Sequence, residues 1–218
     1  MSGNPTPVVI AGAGNLGRLL IDCLDGDDRW RPIGFIDDGH AGETVCGLPV
    51  FGGEDYDPGL TRNVLCAIGA PPMRRAMVER LAPLGLEWRT FVDRRSMVGR
   101  GAMLGRGVLV LSFAMIASGV RIGDFTYLSG YANVGTRAVI GDYCSVLGAA
   151  SVGDSQIGND CVLGLHSATV EAQLGDGVTV AAHTLVRKTV PGGALVAGSP
   201  ARIVRRSGPA KPTLDRKR

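Results

Sequence analysis

Residues 134–152 read Val-Gly-Thr-Arg-Ala-Val-Ile-Gly-Asp-Tyr-Cys-Ser-Val-Leu-Gly-Ala-Ala-Ser-Val, with aliphatic residues at 134, 140, 146 and 152. A step of six matches neither the 3.6 period of a helix nor the 2.0 period of a strand. The step runs back through Leu128, Ile122, Ile116, Val110 and Leu104 to Val98. It runs forward through Ile157, Leu163, Thr169, Leu174 and Val180 to Val186. Only Val152 to Ile157 and Thr169 to Leu174 are one residue short. Four residues after most of these positions stands a small or β-branched residue, as at Ala114, Val120, Thr126, Ala132, Cys144, Cys161 and Thr184.

Each hexad fits one short strand plus a corner, and three hexads close a triangular coil of about eighteen residues. Stacked coils bury the aliphatic column, with the small residue beside it, and glycine suits the corner dihedrals. About five coils result. The two short steps lie one coil apart, so they stack on one edge, and the same offset sets Cys144 under Cys161 and His166 under His183. The cysteines read as small inward residues, and the histidines as a surface or interface ladder.

The composition agrees. Glycine supplies 33 of 218 residues and aromatics only 5%, as a narrow aliphatic core requires. With 45% apolar and 20% charged residues, the chain is not of a disordered type. Its glycines lack the Gly-X-Y period of collagen, and no apolar run approaches the roughly 18 residues of a membrane span.

Residues 7 to about 90 follow a different grammar. Val8-Val9-Ile10 reads as a buried strand, Gly12-Ala13-Gly14-Asn15-Leu16-Gly17 follows at once, and Arg18–Leu24 has helical spacing through Leu19, Leu20, Cys23 and Leu24. Strands are expected at 33–36, 48–50 and 63–68, and a helix at 73–82 that Pro83 stops. This is a small α/β, Rossmann-like βαβ unit with a parallel sheet. Its glycine loop either cradles a phosphate at a helix start or only turns the chain. The Asp37-Asp38 pair stands about 20 residues on, where a nucleoside contact falls in dinucleotide sites.

Net charge is +3, and the excess is local. After Val190, Arg202, Arg205, Arg206, Lys211, Arg216, Lys217 and Arg218 face Asp215 alone. That run is either a solvated tail or a phosphate-binding fringe. Without interleaved aromatics it does not suggest nucleic acid. Cys23, Cys46, Cys66, Cys144 and Cys161 form no C-x-x-C pair, and the N-terminus shows no signal-peptide pattern, so reduced thiols in a cytoplasm are expected.

GAGNLG at 12–17, FIDD at 35–38, the hexads and VAGSPARIV at 196–204 together resemble the sialic-acid O-acetyltransferase-like group of hexapeptide proteins. The similarity is greatest to bacterial UDP-4-amino-sugar N-acetyltransferases of the PglD and NeuD type, and it spans residues 7–206. It implies a left-handed β-helix, a homotrimer, acetyl-CoA between neighbouring β-helices and a nucleotide sugar, such as a UDP-sugar, on the front domain. It implies three segments: a nucleotide-binding domain at 1–90, the β-helix at 91–190 and a C-terminal segment at 191–218. By position Gly12, Ala13, Gly14 and Asn15 would line phosphates, and Asp37 and Asp38 the nucleoside. Asp154, Leu165, His166 and Ala182 would contact CoA, with Arg187, Lys188 and Arg202 near its phosphates. No membrane partner is implied.

The family's catalytic histidine sits in a V-x-H-D-C-x-I-G segment and deprotonates the attacking amine. Here the segment reads Val134-Gly135-Thr136-Arg137-Ala138-Val139-Ile140-Gly141, with Thr136 at the histidine's position. Ser145 holds the position of a second family histidine, and Ala70-Pro71-Pro72 replaces a more polar run. Three readings remain open. Another base such as His166 serves, or none is needed; the acyl transfer uses a different acceptor; or the chain is an inactive ligand-binding or scaffold trimer. His166 and His183 are too few for a zinc site of the γ-carbonic anhydrase kind, since the third histidine, His40, lies in the front domain, so no metal is expected.

Overall fold

The computed structural model describes residues 4–206. Lys211, Asp215, Arg216, Lys217 and Arg218 of the basic tail lie outside the described residues.

The front unit contains β1 (Thr6–Ala11), α1 (Asn15–Leu24), β2 (Trp30–Ile36), β3 (Thr44–Val45), β4 (Leu48–Phe51), β5 (Asn63–Cys66), α2 (Pro71–Leu81) and β6 (Glu87–Trp88). The sheet order is β3-β4-β2-β1-β5-β6, parallel except for the β3–β4 hairpin. Val8, Val9 and Ile10 are fully buried in its centre. Leu20, Cys23 and Leu24 of α1 face the core, whereas Leu19, expected among them, is exposed. Helix α2 begins at Pro71, two residues before the expected start, because proline's fixed φ and missing N–H suit a first turn.

From Phe91 onward eighteen short strands wind into a three-sided parallel β-helix. The first face stacks Val92, Val110, Leu128, Val146, Leu163, Val180 and Val196, so the stack makes six turns rather than five. It begins one hexad before Val98 and runs past Val186 to the Ala194–Ala197 strand. The rung spacing changes from 18 to 17 residues at Val139↔Gln156. At the short edge Ser155 Oγ donates to its own corner (Gly153 O, 2.7 Å) and accepts the Ala172 N–H at 3.1 Å. Cys144 and Cys161 point inward with the other small residues and are wholly buried. Among the described residues no helix is long and apolar enough to cross a membrane.

The glycines meet the expectation in part, since Gly101, Gly107, Gly119, Gly177 and Gly193 hold left-handed corners. Many left-handed corner positions are held by residues with side chains, including Phe113, Phe125, Tyr131, Tyr143, His166 and His183. That conformation costs roughly 1–2 kcal/mol per residue. It is offset by stacking between successive coils, with ring centroids 5.0 Å apart for Phe113–Tyr131 and for Phe125–Tyr143. Several other corner glycines clear a path. A Cβ on Gly123 would sit 2.3 Å from Asp142 Oδ1 and 2.6 Å from the Gly141 carbonyl carbon. The space admits a ladder in which each acidic or amide side chain caps a backbone N–H one coil back. Asp142 Oδ1 accepts from Asp124 N (2.8 Å), Asn159 Oδ1 from Asp142 N (2.8 Å) and Asp176 Oδ1 from Asn159 N (2.7 Å).

Gly123→Ala should therefore lower stability by about 1–3 kcal/mol through overpacking. Gly101→Ala, where a Cβ meets nothing within 4 Å but φ is +69°, should cost only the smaller backbone term. Thermal unfolding of the two variants checks the order.

Candidate functional site

The front unit packs, largely through α1, against the first face of the β-helix. Leu20, Cys23, Leu24 and Phe35 share one apolar cluster with Phe91, Leu109, Leu111 and Tyr127. Beside this seam a cleft of about 620 Å³ opens at the carboxyl ends of β1, β2 and β5. Its walls include Gly12, Gly14, Asn15, Asp37, Asp38, the 67–70 loop, Met73, Met77 and Arg80.

The glycine loop is built for close approach. A Cβ on Gly17 would lie 2.0 Å from the Gly12 carbonyl oxygen, so α1 can start this near the turn only with glycine there. The first-turn N–H groups of α1 have no intrahelical acceptor and face the loop. Ala13 is the exception among the expected phosphate-lining residues. It is wholly buried, and its N–H donates to Asp37 Oδ2 at 2.8 Å.

Asp37 and Asp38 both reach the cleft, but each is already engaged. Asp37 Oδ1 also accepts from Gly39 N at 3.0 Å and lies 3.5 Å from His40 Nδ1. Asp38 accepts from Gly53 N at 2.7 Å and pairs with Arg80 across the cleft. Met73, Met77 and Arg80 were not anticipated as lining residues. Their three- and four-residue spacing on α2 is the signal that puts them on one face.

Two residues beyond the cleft bind it to the β-helix. Arg74, 1% exposed, donates through Nη1 to Ile68 O (2.7 Å), and through Nη2 to Tyr143 O (2.8 Å), Cys144 O (3.0 Å) and Ser145 Oγ (2.9 Å). Ser145 Oγ in turn donates to Gly69 O at 2.7 Å. Burial draws the Arg74 guanidinium below its usual pKa, and among the described residues no carboxylate pairs with it. Arg75 lies over the Tyr143 ring at 3.9 Å and pairs with Asp160 at 2.8 Å. Ser145, at the position of the second family histidine, is thus consumed in the seam.

The remaining expected residues divide between two corners of the β-helix. Leu165, His166 and Ala182 lie on the corner between first and second faces, where the His166 and His183 rings stack 5.1 Å apart. Thr136, Asp154, Arg187 and Lys188 lie on the corner between second and third faces. Thr136 is exposed beside Arg137, whose guanidinium pairs with Asp154 one coil on and holds that carboxyl below its ordinary pKa. Arg202 lies in the Arg202–Arg206 strand that closes the first face antiparallel. One protomer does not bring Thr136 and His166 together. Among the described residues no group of three His, Cys, Asp or Glu could hold a metal ion.

Residues 7–81 match the PglD N-terminal domain model. The acetyltransferase domain of PglB from Neisseria gonorrhoeae is 25% identical, with a TM-score of 0.84 over 91% of this chain and 99% of that one. The front unit carries the PglD N-terminal domain, and the chain as a whole is similar to hexapeptide acetyltransferases. WeeI from Acinetobacter baumannii shares the fold at 24% identity and TM-score 0.78, over 91% and 100% of the two chains. So does a histidine-to-asparagine variant of perosamine N-acetyltransferase from Caulobacter crescentus, solved with CoA and GDP-perosamine. It is 23% identical, with TM-score 0.71 over 91% and 96%. No curated protein matches the sequence. The three-sided coil has the left-handed β-helix fold of these acetyltransferases.

Asp37→Ala leaves the Ala13 N–H buried without an acceptor. It should cost about 1–3 kcal/mol in chemical denaturation, and Asp37→Asn, which keeps one acceptor oxygen, should cost less.

Proposed function

We propose that the protein transfers an acetyl group from acetyl-CoA to the amine of a nucleotide-linked amino sugar, in the cytoplasm, as a homotrimer. The front unit, residues 1–90, would hold the UDP- or GDP-linked sugar. The coils of residues 91–190 would hold CoA, and the basic segment 191–218 would add charge for its phosphates. The observation that carries this reading is the cleft, with a glycine loop, an acidic pair and an apolar wall fixed against a β-helix. The PglB domain, so similar in shape, is described as an acetyltransferase and has been solved with acetyl coenzyme A.

A trimer answers the division of the site. Packing neighbouring β-helices side by side is the arrangement that would bring the Thr136 corner of one protomer toward the His166 corner of the next. The exposed Phe113, Tyr131 and Leu165 on that second corner, with Met97 and Met115 on the adjoining face, are apolar surface suited to such packing. The amine's lone pair attacks the thioester carbonyl, CoA leaves as thiol or thiolate, and the amine proton passes to a base. Thr136 cannot take it near pH 7. His166 of the facing protomer is the side chain we assign that role, which is worth about 10²–10⁴-fold in rate.

Thr136 also favours a second reading, a trimer that binds both ligands without turnover. Thiol release from acetyl-CoA with a panel of UDP- and GDP-linked amino sugars separates the two. Release with one acceptor, reduced about 10²-fold or more in His166→Ala, is the expected result. Acetyl-CoA binding without thiol release from any acceptor would favour the scaffold, and full activity in His166→Ala would remove that residue as the base.

A further inference from the structure

The Arg74–Ser145 cluster has a consequence for the cleft. The carbonyls of two successive residues, Ile68 and Gly69, are turned toward the β-helix and held by Arg74 Nη1 (2.7 Å) and Ser145 Oγ (2.7 Å). In a trans peptide the N–H points opposite to the carbonyl that precedes it. The N–H groups of Gly69 and Ala70 are therefore turned away from the β-helix, on a loop that lines the cleft. Among the described residues neither N–H donates to a protein acceptor. Pro71 and Pro72 have none, so these two are the donors of this stretch.

The charge behind them strengthens the effect. Arg74 is buried with only carbonyl and hydroxyl acceptors on its Nη atoms, and its Nε has no partner. A cation that no carboxylate neutralises polarises the peptides bonded to it, and successive N–H groups on such a turn form an anion-binding concavity. The opposite wall is the glycine loop with the first turn of α1. An anion in the cleft thus meets backbone donors on two sides.

We infer that Arg74 and Ser145 are positioning residues that aim the Gly69 and Ala70 N–H groups at a phosphate of the nucleotide-linked substrate. The inference rests on the nucleotide-sugar reading above and adds to it the diphosphate's second wall. It also explains how the Ala70-Pro71-Pro72 run can serve a site without polar side chains, since the main chain supplies the donors.

Calorimetric titration of UDP, GDP and uridine tests it without requiring turnover. The variant Ala70→Pro deletes one donor at a residue whose φ of −83° is close to proline's range. It should weaken UDP or GDP about ten- to a hundredfold and leave uridine unchanged. Ser145→Ala, which releases the Gly69 carbonyl, should shift the same ratio in the same direction, and Ser145→Thr, which keeps the hydroxyl, should restore it. Ser145→Ala also serves if Ala70→Pro does not fold. Equal weakening of diphosphate and nucleoside, or diphosphate affinity within twofold of wild type in both variants, overturns the inference alone. Failure of the wild type to bind either diphosphate overturns the nucleotide reading and this inference with it.

Discussion

The constraint on which everything else rests is the closeness of one coil to the next. At the corners the backbones approach until a Cβ on Gly105, Gly123, Gly141 or Gly158 would lie within 2.8 Å of a backbone atom of the next coil. That spacing keeps the rungs in register, threads an acidic or amide side chain beneath each of these glycines, and stacks the corner rings. Register in turn decides which residues share a corner. His166 meets His183, and Asp154 meets Arg137, because one coil less one residue separates each pair.

The proposed transfer needs the front unit held at a fixed distance from the coil. Arg74 and Arg75 supply that link. Two adjacent residues of α2 seize two successive coils, one by hydrogen bonds to Tyr143, Cys144 and Ser145 and one by stacking and an ion pair with Asp160. The junction is reinforced at its far side, where Arg29 bonds Asp27 and the Val92 carbonyl. Nearby, burial tends to raise the Asp93 carboxyl, but Arg95 and Ser112 outweigh it and hold the pKa down at about 2. Since its folded pKa is depressed, that carboxylate stabilises the seam above the ordinary aspartate range and loses its contribution as pH falls toward 2.

Much of this was legible in the residue order. A step of six sustained across the second half leaves few alternatives to a three-sided coil, and the one-residue shortenings placed the histidine and cysteine pairs correctly. The glycine loop and acidic pair likewise marked the cleft. The mode of action of the glycines was not legible, because corner dihedral and corner clearance favour the same residue. Only the rungs above show that Phe113 and Tyr143 tolerate the dihedral while Gly123 must stay small. Arg74 gave no signal at all. It is one arginine among several on a polar helix, and three of its four acceptors are backbone carbonyls, two of them about seventy residues away, which any sequence provides. The division of Thr136 and His166 between corners follows from counting residues around the coil, but the proposed meeting of the two would need a second copy of the chain.

In the proposed function one cleft and one β-helix corner serve a single transfer. A crystal soaked with CoA and UDP tests this directly. The expected result is a diphosphate between the α1 N-terminus and the Gly69–Ala70 N–H groups, with the CoA thiol at a β-helix corner near it. Density for CoA with the cleft empty, or a diphosphate bound away from both walls, would contradict it.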